Sequence, residues 1–218
     1  MTIDTMIIQL AIAFLTTMAI FGLTLLGSLP LGLLVYFGKT CRFKVIRAIV
    51  SVYISIMRGT PLMLQMMVLF FVPGLLFDFE MPDNWRFLAV ILAFIINYAA
   101  YFAEIYRGGI ESIPKGQREA AAVLGYSRSQ TFVRIILPQM IKRIMPALTN
   151  EVITLVKDTS LAYTIGTVEM FTRARQIAIS PHSPGMLAFV VAAAFYYAFN
   201  YLMAFIMGRI EKKLSYFQ

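Results

Sequence analysis

From Thr5 to Gly38 the chain carries no formally charged residue. A transmembrane helix needs only about 20 apolar residues, so this run alone commits the chain to a bilayer. It does not read as a cleaved secretory signal. The only charge ahead of it is Asp4, where a signal carries a basic segment, and the run is too long. Gly22, Gly27, Pro30 and Gly32 within it point to a kinked helix or close backbone packing. Composition agrees, with 60% of the 218 residues apolar and 14% charged, against ~45–50% and ~25% in soluble domains. Neither a water-soluble globule nor a disordered chain fits those figures. The single cysteine, Cys41, excludes an internal disulfide framework. The single histidine, His182, leaves no basis for a zinc site or a His-based catalytic pair.

Four further apolar regions follow. Ala48 to Phe77 is interrupted only by Arg58, and Phe87 to Ala103 stops just before Glu104. Ile144 to about Ile165 contains Glu151, Lys157 and Asp158, whereas Met186 to Gly208 is uncharged and rich in aromatics. The pattern predicts an all-α integral membrane fold, one transmembrane domain over residues 1–218. Its five spans lie near 6–37, 46–72, 86–105, 140–163 and 186–208.

Orientation follows from the cations. The first connection holds Lys39, Arg42, Lys44 and Arg47, and the tail holds Arg209, Lys212 and Lys213. The third holds Arg107, Lys115, Arg118, Arg128, Arg134, Lys142 and Arg143. These are fourteen of the nineteen Lys and Arg residues, and the positive-inside rule places them in the cytoplasm, with the N-terminus outside and the C-terminus inside. The second connection is acidic (Asp78, Glu80, Asp83) and is expected outside; the fourth, with Arg173 and Arg175 against Glu169, fits the outside less comfortably. Because the net charge of +8 flanks the spans instead of forming one basic face, nucleic acid is not an expected partner. Gly38-Lys39-Thr40 resembles the end of a phosphate-binding loop, but position 33 is Leu33 where that loop needs glycine. No connection is long enough for a soluble domain, so any energy source is expected in another polypeptide.

The most informative connection, near residues 107–138, carries Glu119-Ala120-Ala121, then Gly125, then Ile135 and Leu137-Pro138. Glu119 to Leu124 is rich in helix formers and Gly125 is a typical residue just past a helix end. On composition alone this is an amphipathic loop helix resting on the membrane surface. Its spacing resembles the EAA signature of ABC-importer permeases. Arg58-Gly59-Thr60-Pro61-Leu62, Ala103-Glu104-Ile105-x-Arg107-Gly108 and Lys157-Asp158-Thr159-Ser160-Leu161 are similar to motifs of the polar amino-acid uptake branch, the histidine/glutamine type. The resemblance covers nearly the whole chain. It implies a type I importer permease of the bacterial cytoplasmic membrane, without catalysis of its own, moving a polar amino acid inward by alternating access. It further implies a second permease copy or homologue, two ATP-binding subunits that hold the ATP and Mg, and an extracytoplasmic amino-acid-binding protein. Glu119, Ala120, Ala121, Leu124, Gly125, Leu137 and Pro138 would then form the coupling helix and its return, docking on the ATPase.

Ionisable side chains inside a span mark a pathway or a pair. Asn150, Thr154 and Lys157 share one face of the fourth helix, and Glu151 and Asp158 a neighbouring one. A zwitterionic amino acid needs an acceptor for its ammonium, which Glu151 or Asp158 could supply, and a donor for its carboxylate, which Lys157 could supply. Salt bridges or helix-end contacts are the competing role for Arg58, Glu104 and Asp158, and structure or gating is favoured for Arg58, Lys157 and Asp158. Phe195, Tyr196, Tyr197, Phe199 and Tyr201 read as helix packing, the methionines as apolar filler, and Cys41 as an inert thiol. Two other classes compete with the importer reading. A membrane-embedded enzyme would need clustered His, Asp or Ser at span ends, and a stand-alone carrier or channel has no use for a docking helix.

Overall fold

The computed structural model describes residues 2–77, 81–181 and 185–214. Asp78, Glu80 and His182 lie outside them. Every regular element among the described residues is helical. The first helix, α1, spans Ile3–Thr40 and opens on Thr2, whose side chain accepts from the Thr5 amide. Asp4 in its first turn and Lys39 in its last complement the helix dipole. At 38 residues it is about 57 Å long, well over the ~30 Å hydrocarbon core.

The second expected span, near 46–72, is not one helix. It divides into α2 (Lys44–Gly59) and α3 (Leu62–Phe77), which meet at 109°. Pro61 cannot donate a backbone hydrogen bond, and its ring forces Thr60 into extended backbone at φ −124° and ψ 150°. The third expected span is α4, Trp85–Glu111. The loop that follows contains α5 (Lys115–Val123), the short α6 (Arg128–Thr131) and a π-helical turn, Phe132–Ile136. The fourth expected span, near 140–163, is α7 (Leu137–Asp158) continued by a 3₁₀ turn, Thr159–Ile165. Lys142, Arg143, Glu151, Lys157 and Asp158 keep it out of the group of helices apolar enough to cross unaided, which comprises α1, α4 and α9 (Leu187–Leu214). A further short helix, α8 (Met170–Ile179), occupies the fourth connection.

At the centre lies α4, packed against α1, α2, α3 and α7. Its Phe94, Tyr98 and Phe102 are among the largest fully buried side chains. Contact with α1 is close because of Gly32. A Cβ there would stand 2.8 Å from Phe102 Cβ and 3.1 Å from the Ala99 carbonyl oxygen. A second core joins Met6 and Leu10 of α1 to Met170, Ala174 and Ile177 of α8 and Ala188 and Ala192 of α9. The aromatics of α9 divide between two roles. Phe195 and Phe199 pack on Phe14 and Phe21 with ring centroids 5.5–5.8 Å apart, whereas Tyr197 and Tyr201 are exposed.

Candidate functional site

A helix break inside a membrane frees carbonyls that lipid cannot satisfy. Here two amide side chains take them. Gln65 Nε2 donates to the carbonyls of Met57 (3.0 Å) and Thr60 (3.1 Å) and to Thr60 Oγ1 (2.7 Å). Asn97, 4% exposed on α4, donates to the Met57 carbonyl and to Gln65 Oε1, both at 2.9 Å. The α2–α3 corner is thereby fixed to the central helix, and Arg58 is held at its tip. Neither amide stood out in the sequence, although a lone Asn in the apolar run Phe87–Ala103 was the available signal.

Beside that corner α4 and α7 line an open cavity of about 710 Å³. Its charged lining is Arg58, Glu104, Arg107, Arg143 and Glu151, with Tyr101 among the uncharged members. Three of the expected residues, Arg58, Glu104 and Glu151, thus meet in one place. Glu104 is the hub of the cations: Arg107 donates to it at 2.8 and 3.0 Å, Lys39 of α1 pairs with it, and Arg58 lies 3.7 Å away. Arg58 also sits over the Tyr101 ring, 5.3 Å from its centroid. Arg107 reaches Glu111 as well, and Arg143 donates to the Ser112 carbonyl. The Glu151 side chain differs from all of these: it makes no hydrogen bond or salt bridge among the described residues, and Arg58 acts on it only through space.

The other expected residues lie apart from this cavity. Asn150 and Lys157 are exposed, and Thr154 is half-buried. Asp158 accepts from the Tyr98 hydroxyl at 2.8 Å, tying the end of α7 to the central helix. The cations that line the cavity with Glu151 come from α2 (Arg58), α4 (Arg107) and α7 itself (Arg143), with Lys157 not among them. A further acid, Glu169, is fully buried in the fourth connection. It accepts from the Phe171 amide (2.8 Å), the Thr172 amide (2.7 Å) and hydroxyl (2.9 Å), and the Tyr196 hydroxyl (3.0 Å). Burial pushes its carboxyl above the usual range against the pull of those donors. Its sequence context, between Arg173 and a hydrophobic run, did not distinguish it from a loop charge.

The loop between α4 and α7 is fully folded. After α5 the chain reverses at Gly125, φ +79°, where Gly125 N donates to Ala122 O and Tyr126 N to Ala121 O, each at 3.0 Å. This helix end satisfies the last carbonyls of α5 and needs a left-handed residue. Ser127 and Gln130 then form a reciprocal capping box that starts α6. Ala121 is buried, whereas Glu119 and Ala120 are exposed, and Val123 and Leu124 project at 89% and 75% exposure. Leu137 and Pro138 lie where the π-helical turn passes into α7.

Residues 28–216 match the family model described as "binding-protein-dependent transport system inner membrane component". The chain belongs to that family. It is a multi-pass inner-membrane permease subunit of the ABC-importer type. Among curated relatives, the glutamine transport system permease protein GlnP of Escherichia coli (strain K12) is 36% identical, covering 91% of this chain and 90% of the relative. The arginine transport system permease protein ArtQ of Bacillus subtilis (strain 168) is 34% identical, covering 91% and 89%. An amino acid ABC transporter crystallised with histidines superposes with a TM-score of 0.85 at 29% identity over 94% of both chains. The inward-facing MetNI methionine ABC transporter shares the fold at a TM-score of 0.72 and 18% identity. The type I importer permease fold of this family accommodates a broken second span and a charged fourth one.

Proposed function

We propose that this permease carries a polar amino acid inward through the cavity between α4 and α7. The observation that carries the reading is the unpartnered Glu151 carboxylate sharing that cavity with Arg58 and Arg143. A zwitterion presents one ammonium and one carboxylate, and such a cavity offers an acceptor whose side chain makes no hydrogen bond of its own and cations to receive the acid. Its volume lies within the ~300–1,000 Å³ of small-molecule sites. Two copies of this chain, or this chain and a homologue, form the pore, with α9 and other exposed apolar faces toward lipid. The N-terminus lies outside and the basic loops lie in the cytoplasm, where α5 docks on an ATP-binding subunit, one on each side of the two-fold. Exposed Val123 and Leu124 at the end of α5 supply apolar contact for that dock. ATP and its Mg ion belong to the partner, and an extracytoplasmic binding protein delivers the amino acid. The permease itself makes and breaks no covalent bond.

The test is equilibrium binding of labelled glutamine, arginine, histidine and cystine to the purified permease–ATPase complex. Replacing Glu151 by Gln removes a charge-assisted bond, usually ~1.5–3 kcal/mol. Affinity for the preferred amino acid is expected to fall about 10- to 100-fold while the complex still assembles. Unchanged affinity in the assembled variant removes Glu151 from the substrate path.

A further inference from the structure

The two legs of the α5–α6 loop are joined at their base by a pair of side-chain amides. Gln117, in the first turn of α5, donates from Nε2 to Gln139 Oε1 at 3.0 Å, and Gln139 Nε2 donates to Gln117 Oε1 at 2.6 Å. Gln139 Nε2 also donates to the Ile135 carbonyl, inside the π-helical turn, at 2.8 Å. Both glutamines are half-buried. A single hydrogen bond between flexible side chains fixes a distance. Two reciprocal ones between planar amides also fix orientation, because each amide has one acceptor and its donors in one plane.

The position of this clasp is mechanical. Gln139 follows Pro138 at the start of α7, and Arg143, Ile144, Ala147 and Glu151 of the cavity wall lie further along the same helix. Between α6 and α7 the chain passes through Phe132–Ile136, whose wider i→i+5 bonding closes with Leu137 N donating to Phe132 O. Such turns are rare and are found mostly at functional sites. Without the clasp, α5 would be tied to α7 by that turn and by Arg143, which reaches back only to the Ser112 carbonyl ahead of α5. We propose that the Gln117–Gln139 clasp is the positioning device that makes a displacement of α5 a displacement of α7 and hence of the cavity wall. The proposal rests on the reading of α5 as the helix that docks on the ATPase.

The experiment uses the full permease–ATPase complex in lipid. Cys41 is replaced by Ser, and Ala147→Cys reports on the cavity through labelling by a membrane-impermeant maleimide. The readout is the change in labelling rate on adding ATP and vanadate, normalised to co-purified ATPase. Coupling between sites of this kind is commonly worth 5-fold or more, so Gln117→Leu is expected to shrink that change at least about 5-fold. Adding Gln139→Leu should shrink it little further, since the clasp is already broken and what is lost besides is the Gln139 bond to the Ile135 carbonyl. Gln117→Glu with Gln139→Lys should recover more of the change than Gln117→Glu alone. This comparison decides the matter if the leucine variant does not assemble. A full ATP-dependent change in the Gln117→Leu complex overturns the clasp, as do equal changes in the Gln117→Glu complexes with and without Gln139→Lys. Glu119→Lys separates the two layers. If it abolishes the change while Gln117→Leu does not, only the clasp falls; if it too leaves the change intact, the docking reading falls with it.

Discussion

Asn97 illustrates how a single residue can decide the shape of a membrane protein. Its amide holds the Met57 carbonyl and Gln65 together at the break between α2 and α3. Interhelical hydrogen bonds in membranes are worth about 0.6–2 kcal/mol each, and Asn97→Leu removes two. The purified variant is expected to unfold at a lower temperature than the parent, as followed by thiol-reactive dye or light scattering. An unchanged midpoint would mean that Gln65 alone secures the corner. Arg58, Glu104 and Glu151 were legible as intramembrane charges because lipid makes any ionisable side chain conspicuous. Arg107 and Arg143 were not, for in the sequence they were two more cations of a basic loop. Facing a cavity instead of a headgroup layer is a property of helix rotation, which composition does not record.

Elements show a similar division. Long uncharged runs gave α1, α4 and α9 because hydropathy alone selects a helix in lipid. The same averaging merged α2 and α3, since a proline in an apolar run barely alters hydropathy yet turns the chain by 109°. Helix separation, too, is set locally. At Gly32 an added methyl group would meet backbone atoms of α4, which no side-chain rotation relieves. Gly32→Ala is therefore expected to cost about 1–3 kcal/mol by overpacking. It should lower the thermal midpoint of the complex, whereas Gly22→Ala, which meets nothing within 4 Å, should not.

At the scale of the whole molecule, the loop helix α5 and the cavity are joined through α7. α5 is tied at both ends, through the Gly125 reversal on one side and the Gln117–Gln139 clasp on the other. Glu119→Lys reverses the charge on its exposed face, and Gly125→Asp places a side chain on a backbone at φ +79° that favours glycine. Both variants should reach the membrane at normal levels, yet hydrolyse ATP without matching amino-acid uptake. Normal uptake per ATP in both would remove α5 from the coupling path. The sequence by itself determined that the chain is helical, lives in a bilayer and carries a helix in its long basic loop. Those properties depend on local patterns: apolar length, the placement of cations, and turn residues at fixed spacing. Only the tertiary structure decided that Arg58, Glu104, Arg107, Arg143 and Glu151 line one cavity, that Lys157 does not, and that Gln117 clasps Gln139. Each of these depends on the relative rotation and separation of helices distant in sequence, which are set by close packing at sites such as Gly32 and by buried hydrogen bonds such as that of Asn97.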